Sequence, residues 1–226
     1  MHKVIMLLRH AESVKNIENR FSSNKSLENL TETGKAQSRQ FGEQIDCFLK
    51  NNHLTIKNIY CADSSRAIQT AEIIASKLDI SVVPVDEFKS FSIGHYSGMS
   101  ESSLAKVAPK FINDLYLYRK GLLNSYDIIY EGSKKNLQEY ESDVKKRLLE
   151  IVNNSEEENC KIIVMHRSAL TATLLDFARN YYKYPIDFYG YVEIEIGTVS
   201  LINFSDDNVS FIGVTMDTKV LLDLKI

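Results

Sequence analysis

Two short runs constrain this chain more than anything else in it. Residues 4–8, VIMLL, are apolar at every position, and residues 161–165, KIIVM, nearly so. A strand of that composition must be covered on both faces, which is the situation of a strand inside a parallel sheet flanked by helices. Stretches of helical period lie around these runs. Residues 64–78 place Ala67, Ala71, Ile74, Ala75 and Leu78 on one stripe, with Ser64 at the capping position and Arg66 in the first turn, off the stripe. Residues 30–51 read as a helix capped by Thr31, and residues 166–180 as another amphipathic helix. Residues 56–62 read as a strand and residues 80–85 as a weaker one, while 192–204 and 208–215 alternate with period two, as strands returning at one edge.

Strand and helix in alternation predict an α/β chain: a three-layer α/β/α sandwich with a mostly parallel central sheet. Residues 99–158 interrupt the alternation with a long helical stretch, whose simplest place is a helical cap inserted over one end of the sheet. With three prolines, nine glycines and no low-complexity linker in 226 residues, the chain reads as one domain spanning 1–226.

Bulk properties exclude several classes. The net charge of -3 supplies no positive field for nucleic acid or an anionic membrane. The basic blocks Lys134-Lys135 and Lys145-Lys146-Arg147 sit among acidic residues and read as solvated helix faces. Cys47, Cys61 and Cys160 have no metal-type spacing; Cys47 and Cys61 lie in apolar surroundings and read as buried thiols, and a reducing compartment is expected. The apolar N-terminal run is too short to span a membrane and is not followed by a cleavage site. A cytoplasmic protein is expected. The terminal strands offer an edge on which a homodimer could pair.

Arg9-His10 closes the first apolar run, Arg66 opens the helix after the second strand, and His166 follows the strand at 161–165. In a parallel sheet these positions share the carboxyl edge, where such folds bind ligands. Taken singly each has an ordinary reading: a surface arginine, core histidines satisfied by backbone, an Arg66 paired with Glu12 or Asp63. Taken together, two guanidiniums and two imidazoles converge where helix N-termini already favour anions, and a phosphoryl group is the ligand that accounts for them.

The string LLRHAESVKN (7–16) resembles the signature of the histidine phosphatase superfamily, the phosphoglycerate mutase-like proteins: an apolar run, then Arg-His-Gly-Glu and an Asn. LTETGKAQSRQFG, IYCADSSRAIQTAEII, GHYSG (94–98) and KIIVMHRSALTATLL are similar to further family segments, in the family's order. The resemblance implies a phosphohistidine intermediate on His10, with Arg9, Arg66 and His166 as catalytic partners that also bind the substrate. Asn16 is implied as a neutral donor to the phosphoryl group; Arg167, which departs from the family pattern, is a further candidate phosphate contact through its guanidinium or else a solvent-facing side chain. No metal and no cofactor are implied. Three departures stand out: Ala11 replaces the usual Gly, Arg167-Ser168 replaces small residues, and Ser90 stands where many members carry a Glu that protonates the leaving alcohol.

Glu87 is the first candidate to replace that acid, ahead of His95 and Glu101. The leading expectation is therefore a phosphatase of small phosphomonoesters. A phosphatase of protein phosphohistidine or acyl phosphates, which needs less help for its leaving group, is the alternative. A phosphate-binding protein without turnover is a third reading, and phosphoglycerate mutase a weaker one. The expected partner is a phosphorylated small molecule or a phosphoprotein.

Overall fold

The computed structural model describes residues 2–21, 28–124, 127–128, 136–154, 158–181, 192–205 and 209–226. Lys134-Lys135 and parts of the 99–158 stretch lie outside them. A six-stranded sheet forms the centre: β1 (His2–Arg9), β2 (Asn58–Ala62), β3 (Ser81–Val85), β4 (Cys160–Met165), β5 (Thr198–Ser205) and β6 (Val209–Asp217), in the order β3-β2-β4-β1-β5-β6. The strands β3, β2, β4 and β1 run parallel, and β5 and β6 return antiparallel on the other side of β1. The expected sandwich with its mostly parallel sheet is the fold observed.

Each apolar run sits where its composition requires. Val4 through Leu8 are at most 1% exposed, and every residue of β4 is buried. Seven helices accompany the sheet among the described residues: α1 (Val14–Ile17), α2 (Glu32–Asn51), α3 (Ser65–Leu78), α4 (Glu101–Val107), α5 (Pro109–Arg119), α6 (Leu137–Asn153) and α7 (Arg167–Tyr181). The stripe expected on α3 is buried at Ala67, Ala71, Ile74 and Ala75, against α2 and the strands. α6 packs on α7 through Tyr140, Val144 and Leu148 among others. None of the described helices is long and apolar enough to cross a membrane.

Two expectations change. Residues 192–196 continue the alternation of β5 but form no strand. Their carbonyls are used instead by the carboxyl edge of the sheet: Ile194 O accepts from Arg9 Nη1 and Val192 O from Thr171 Oγ1. Cys47 is half-buried, whereas Cys61 and Cys160 are fully buried, because α2 turns position 47 toward its margin and not its core stripe.

The contact of α2 with the loop after β1 fixes the backbone on either side of Glu12. Thr31 caps α2 by accepting from Gly34 N at 2.9 Å, and its hydroxyl donates to Glu12 Oε1 at 2.6 Å. Gly34 lies directly beneath Glu12, where an added Cβ would sit 2.0 Å from the Glu12 carbonyl oxygen. The Thr-x-x-Gly spacing is thus a steric requirement: the helix must approach the loop's backbone closer than any side chain allows. We predict that Gly34→Ala destabilises the protein by on the order of 3 kcal/mol in urea denaturation. Gly42→Ala, whose Cβ would meet Lys77 Cβ at 3.1 Å and no backbone atom closer than Ile74 Cα at 3.5 Å, should change stability by less than about 1 kcal/mol, since a shift of a few tenths of an ångström relieves the contact and the gain in helix propensity offsets its cost. Equal effects at the two positions would remove the steric account.

Candidate active site

The strand register assembles the site. Arg9 pairs with Met165 across β1 and β4, and His10 N donates to Met165 O at 3.1 Å, so the residues that follow the two strands leave the sheet at one level. The rings of His10 and His166 meet edge to face, with centroids 4.9 Å apart. Both imidazoles are buried, 3% and 2% exposed. Ala11 needs no positive φ here; its N–H donates to Thr70 Oγ1 at 3.1 Å, which fixes the turn from α3.

Arg66 enters from the first turn of α3 and is itself 2% exposed. Its Nε donates to His10 Nε2 at 3.2 Å, its Nη2 to His166 Nδ1 at 3.1 Å and to Ser90 Oγ at 3.4 Å, and its Nη1 lies 3.2 Å from Glu28 Oε1. Glu28 is therefore the carboxylate that faces Arg66, in place of either partner weighed from the sequence. Asp63 pairs with Lys89 at 3.1 Å, and Glu12 holds Thr31.

These bonds set the tautomers. His10 Nδ1 donates to Ala11 O at 2.8 Å, which leaves Nε2 as a lone pair facing Arg66. His166 accepts at Nδ1 and so carries its proton on Nε2, which donates to Ser64 Oγ at 2.8 Å. That bond diverts Ser64 from the capping role expected of it: it occupies the N-cap of α3, but its side chain makes no capping bond. Burial, and then the Arg66 charge, hold both imidazoles well below their ordinary value of 6.5.

Asn16 follows on α1, where its Oδ1 accepts from Ser13 N at 3.1 Å and Ser13 Oγ at 2.6 Å; the Nδ2 donors are left for the cavity. Arg167, at the start of α7, lines the same cavity, 3.4 Å from Glu193. The cavity has a volume of about 310 Å³. Its cationic end holds Arg9, His10, Arg66, His166 and Arg167; Phe21, Phe91, Ile93, Phe111, Leu115 and Leu137 supply apolar wall. Phe111 and Tyr118 line it, while Tyr116 is 57% exposed.

Two findings modify the sequence reading. Glu87 sits exposed on the short 3-10 turn Asp86–Phe88 and does not line the cavity; Ser90, three residues on, does. The turn buries Phe88 and sends the neighbouring carboxylates to solvent. Lys15, which no motif in the sequence marks, also lines the cavity, half-buried. Burial, with the nearby Arg66, pushes its ammonium down to about 7, against the opposing pull of Glu28. One turn of helix after Ser13 swings positions 15 and 16 toward the cavity together, and nothing in the local pattern announces that.

The sequence profile of the histidine phosphatase superfamily (branch 1) matches residues 5–216. The chain belongs to this superfamily. A 2,3-bisphosphoglycerate-dependent phosphoglycerate mutase of Bacteroides fragilis is 31% identical over 126 residues, 56% of this chain and 48% of that protein. One from Elusimicrobium minutum is 30% identical over 135 residues, 59% of this chain and 52% of that protein. The matches thus span about half the length of these curated relatives. Among solved structures, a phosphoserine phosphatase of Entamoeba histolytica bound to phosphoserine superposes with a TM-score of 0.69 at 14% identity, covering 94% of this chain and 96% of that one. A mycobacterial glucosyl-3-phosphoglycerate phosphatase superposes with a TM-score of 0.74 at 14% identity, covering 95% and 100%. At such identities these likenesses establish the shared fold of the superfamily.

The tautomers and the lowered imidazole values yield a prediction. In the ligand-free protein at pH 6, ¹⁵N NMR should find His10 neutral and protonated at Nδ1, and His166 neutral and protonated at Nε2. In the unfolded chain both titrate near 6.5. The unfolded state therefore binds more protons below that pH, and stability falls as pH drops through 6.5 toward the depressed native values. Two imidazolium spectra at pH 6 would contradict the buried geometry.

Proposed function

We propose that this chain is a phosphatase that hydrolyses a phosphomonoester through a phosphohistidine on His10, without a metal. The observation that carries the proposal is the state of His10: Nδ1–H is spent on the Ala11 carbonyl, and the Nε2 lone pair faces the guanidinium of Arg66 inside the cavity. A neutral imidazole so held is a nucleophile without prior deprotonation.

In the first half-reaction Nε2 attacks phosphorus, the N–P bond forms, and the ester P–O bond breaks. Arg9, Arg66, His166 and Asn16 hold the non-bridging oxygens and offset the charge that spreads over them, the main means by which proteins accelerate phosphoryl transfer. Water then attacks phosphorus, the N–P bond breaks, and inorganic phosphate leaves with His10 neutral again. Binding the dianion raises the His166 value and favours its imidazolium form, which donates from both ring nitrogens. Proton uptake then accompanies phosphate binding.

The apolar stretch of the wall supports an ester whose alcohol carries a bulky apolar body, while Arg20, Glu101, Arg119 and Glu141 line the same cavity. A second reading, a phosphatase of phosphohistidine or acyl phosphates, draws support from Ser90 at the cavity and Glu87 outside it, since such leaving groups depart without an acid. Phosphoglycerate mutase activity is the weaker reading despite the mutase relatives, because the mutase's longer Glu-Arg-His-Tyr-Gly segment has no counterpart in this chain.

Rapid quenching with a ³²P-labelled aryl phosphate should trap acid-labile, base-stable label on the wild type. His10→Ala should lose the label and more than about 10³-fold of turnover, as removal of a covalent nucleophile does elsewhere. Unchanged turnover in that variant would refute the mechanism. We further predict that 1-naphthyl phosphate exceeds phosphoserine in kcat/KM by about 10-fold or more, the scale on which an apolar pocket discriminates. The reverse order would remove the apolar-alcohol reading and leave the mechanism standing.

A further inference from the structure

An alkoxide leaving group needs a proton, and the cavity restricts what can supply it. Arginines do not release protons near neutrality. His10 is the nucleophile in the proposed phosphatase function, on which this inference rests; the imidazolium of His166 directs its Nε2 proton at Ser64 and uses its Nδ1 proton to hold a non-bridging phosphoryl oxygen. The hydroxyls of Ser90 and Tyr118 are weak acids. Glu101 is exposed, and Glu141 on α6 also borders a small recess lined by Lys145, Leu148 and Asp176.

Lys15 differs from all of these. It lines the cavity half-buried, and its ammonium makes no hydrogen bond or ion pair with any described residue. The charged and titratable groups that act on it, or it on them, are Arg66, Glu28, Arg167 and Arg9, then His10 and His166. A cation that faces three guanidiniums, with no hydrogen bond or ion pair among the described residues and only the charge of Glu28 opposing them, is costly to hold unless a ligand's negative charge meets it. Arg66, its strongest charged neighbour, bonds both His10 and Ser90, the residue that stands where the family's acid would be.

We propose that Lys15 replaces the missing carboxylic acid: its ammonium protonates the departing alkoxide, and its amine then takes a proton from the attacking water. The exchange balances. The N–P bond to His10 forms as the ester P–O bond breaks, and the ester oxygen leaves as an alcohol with the Lys15 proton. Water's oxygen then bonds to phosphorus as the N–P bond breaks, and its proton restores the ammonium. A lysine pushed down to about 7 by its surroundings is suited to both steps.

The test compares an alkyl phosphate with 2,4-dinitrophenyl phosphate, whose leaving group needs no acid, in the wild type, Lys15→Met, Lys15→Arg and Glu141→Gln. Lys15→Met should lose roughly 10²- to 10⁴-fold in kcat/KM on the alkyl ester, the range of general acid catalysis, and less than about 10-fold on the dinitrophenyl ester. Lys15→Arg, which keeps the charge but cannot release the proton, should not restore the alkyl ester. In the wild type kcat/KM for the alkyl ester should fall as pH rises through about 7, and this limb should vanish in Lys15→Met.

Restoration by arginine would overturn the proposal and leave Lys15 as a charge alone. An equal loss on both esters would overturn it as well, and so would a loss selective for the alkyl ester in Glu141→Gln with Lys15→Met unaffected. Phosphohistidine trapped from the dinitrophenyl ester in each variant verifies that the site is folded. A wild type that forms no phosphohistidine refutes the phosphatase reading itself; one that forms it, with alkyl turnover indifferent to Lys15, refutes this inference alone.

Discussion

The site hangs on one guanidinium. Arg66 is buried, and its nitrogens reach His10, His166, Ser90 and Glu28 at once. A planar fork of five donors can do this, and a lysine ammonium could not: three rotating donors would neither span both imidazoles nor hold their lone pairs in a plane. Because Arg66 donates to both rings, each ring presents a lone pair to it and both are neutral in the free site. The guanidinium, with burial, thereby keeps His10 neutral and opposes its protonation by electrostatic repulsion. Glu28 offsets part of the cost of burying the charge.

That arrangement depends on the sheet. β1 lies between a parallel neighbour, β4, and an antiparallel one, β5. The register with β4 brings His10 and His166 to one level; a slip of one residue would turn every side chain of β1 to the opposite face and take His10 out of reach. α3 must begin close after β2 for Arg66 to meet them. The loop after β1 is held from three directions: by Thr70 of α3, by Gln37 and Gly34 of α2, and by Ser13 with Asn16 in α1. A side chain on a loop so fixed has little conformational freedom to lose when a ligand arrives, and in the phosphatase proposed above this would preorganise His10 for attack.

The elements beyond the sheet decide what else enters. Tyr140 of α6 donates to Lys89 O at 2.7 Å and lies 3.1 Å from Ser168 Oγ, while its ring meets Phe91 edge to face. This joins α6, the loop that carries Ser90, and the start of α7 into one wall. Phe111 of α5 stacks on Tyr96 of the GHYSG turn. These contacts couple the apolar wall to the loop nearest the arginines and histidines, so the shape of that wall and the placing of Ser90 are not independent.

The sequence alone determined the sheet class and most of the basic end of the cavity. Fully apolar runs can be satisfied only inside a covered parallel sheet, and a charged residue just after such a run must emerge at its carboxyl edge. Arg9, His10, Arg66 and His166 were legible for that reason, Asn16 by resemblance, and Arg167 as a cation standing where the family carries a small residue. What the chain does over long separations was not legible. Glu28 as the carboxylate facing Arg66, the diversion of Ser64 to His166, and the use of the Ile194 carbonyl by Arg9 all join residues far apart in sequence, where spacing carries no signal. Glu87 and Lys15 show the same limit at short range. A single 3-10 turn sends the one carboxylate to solvent, and a single turn of helix brings the other residue's ammonium into the cavity. Such turns are decided by which neighbours pack around them, a property of the tertiary structure alone.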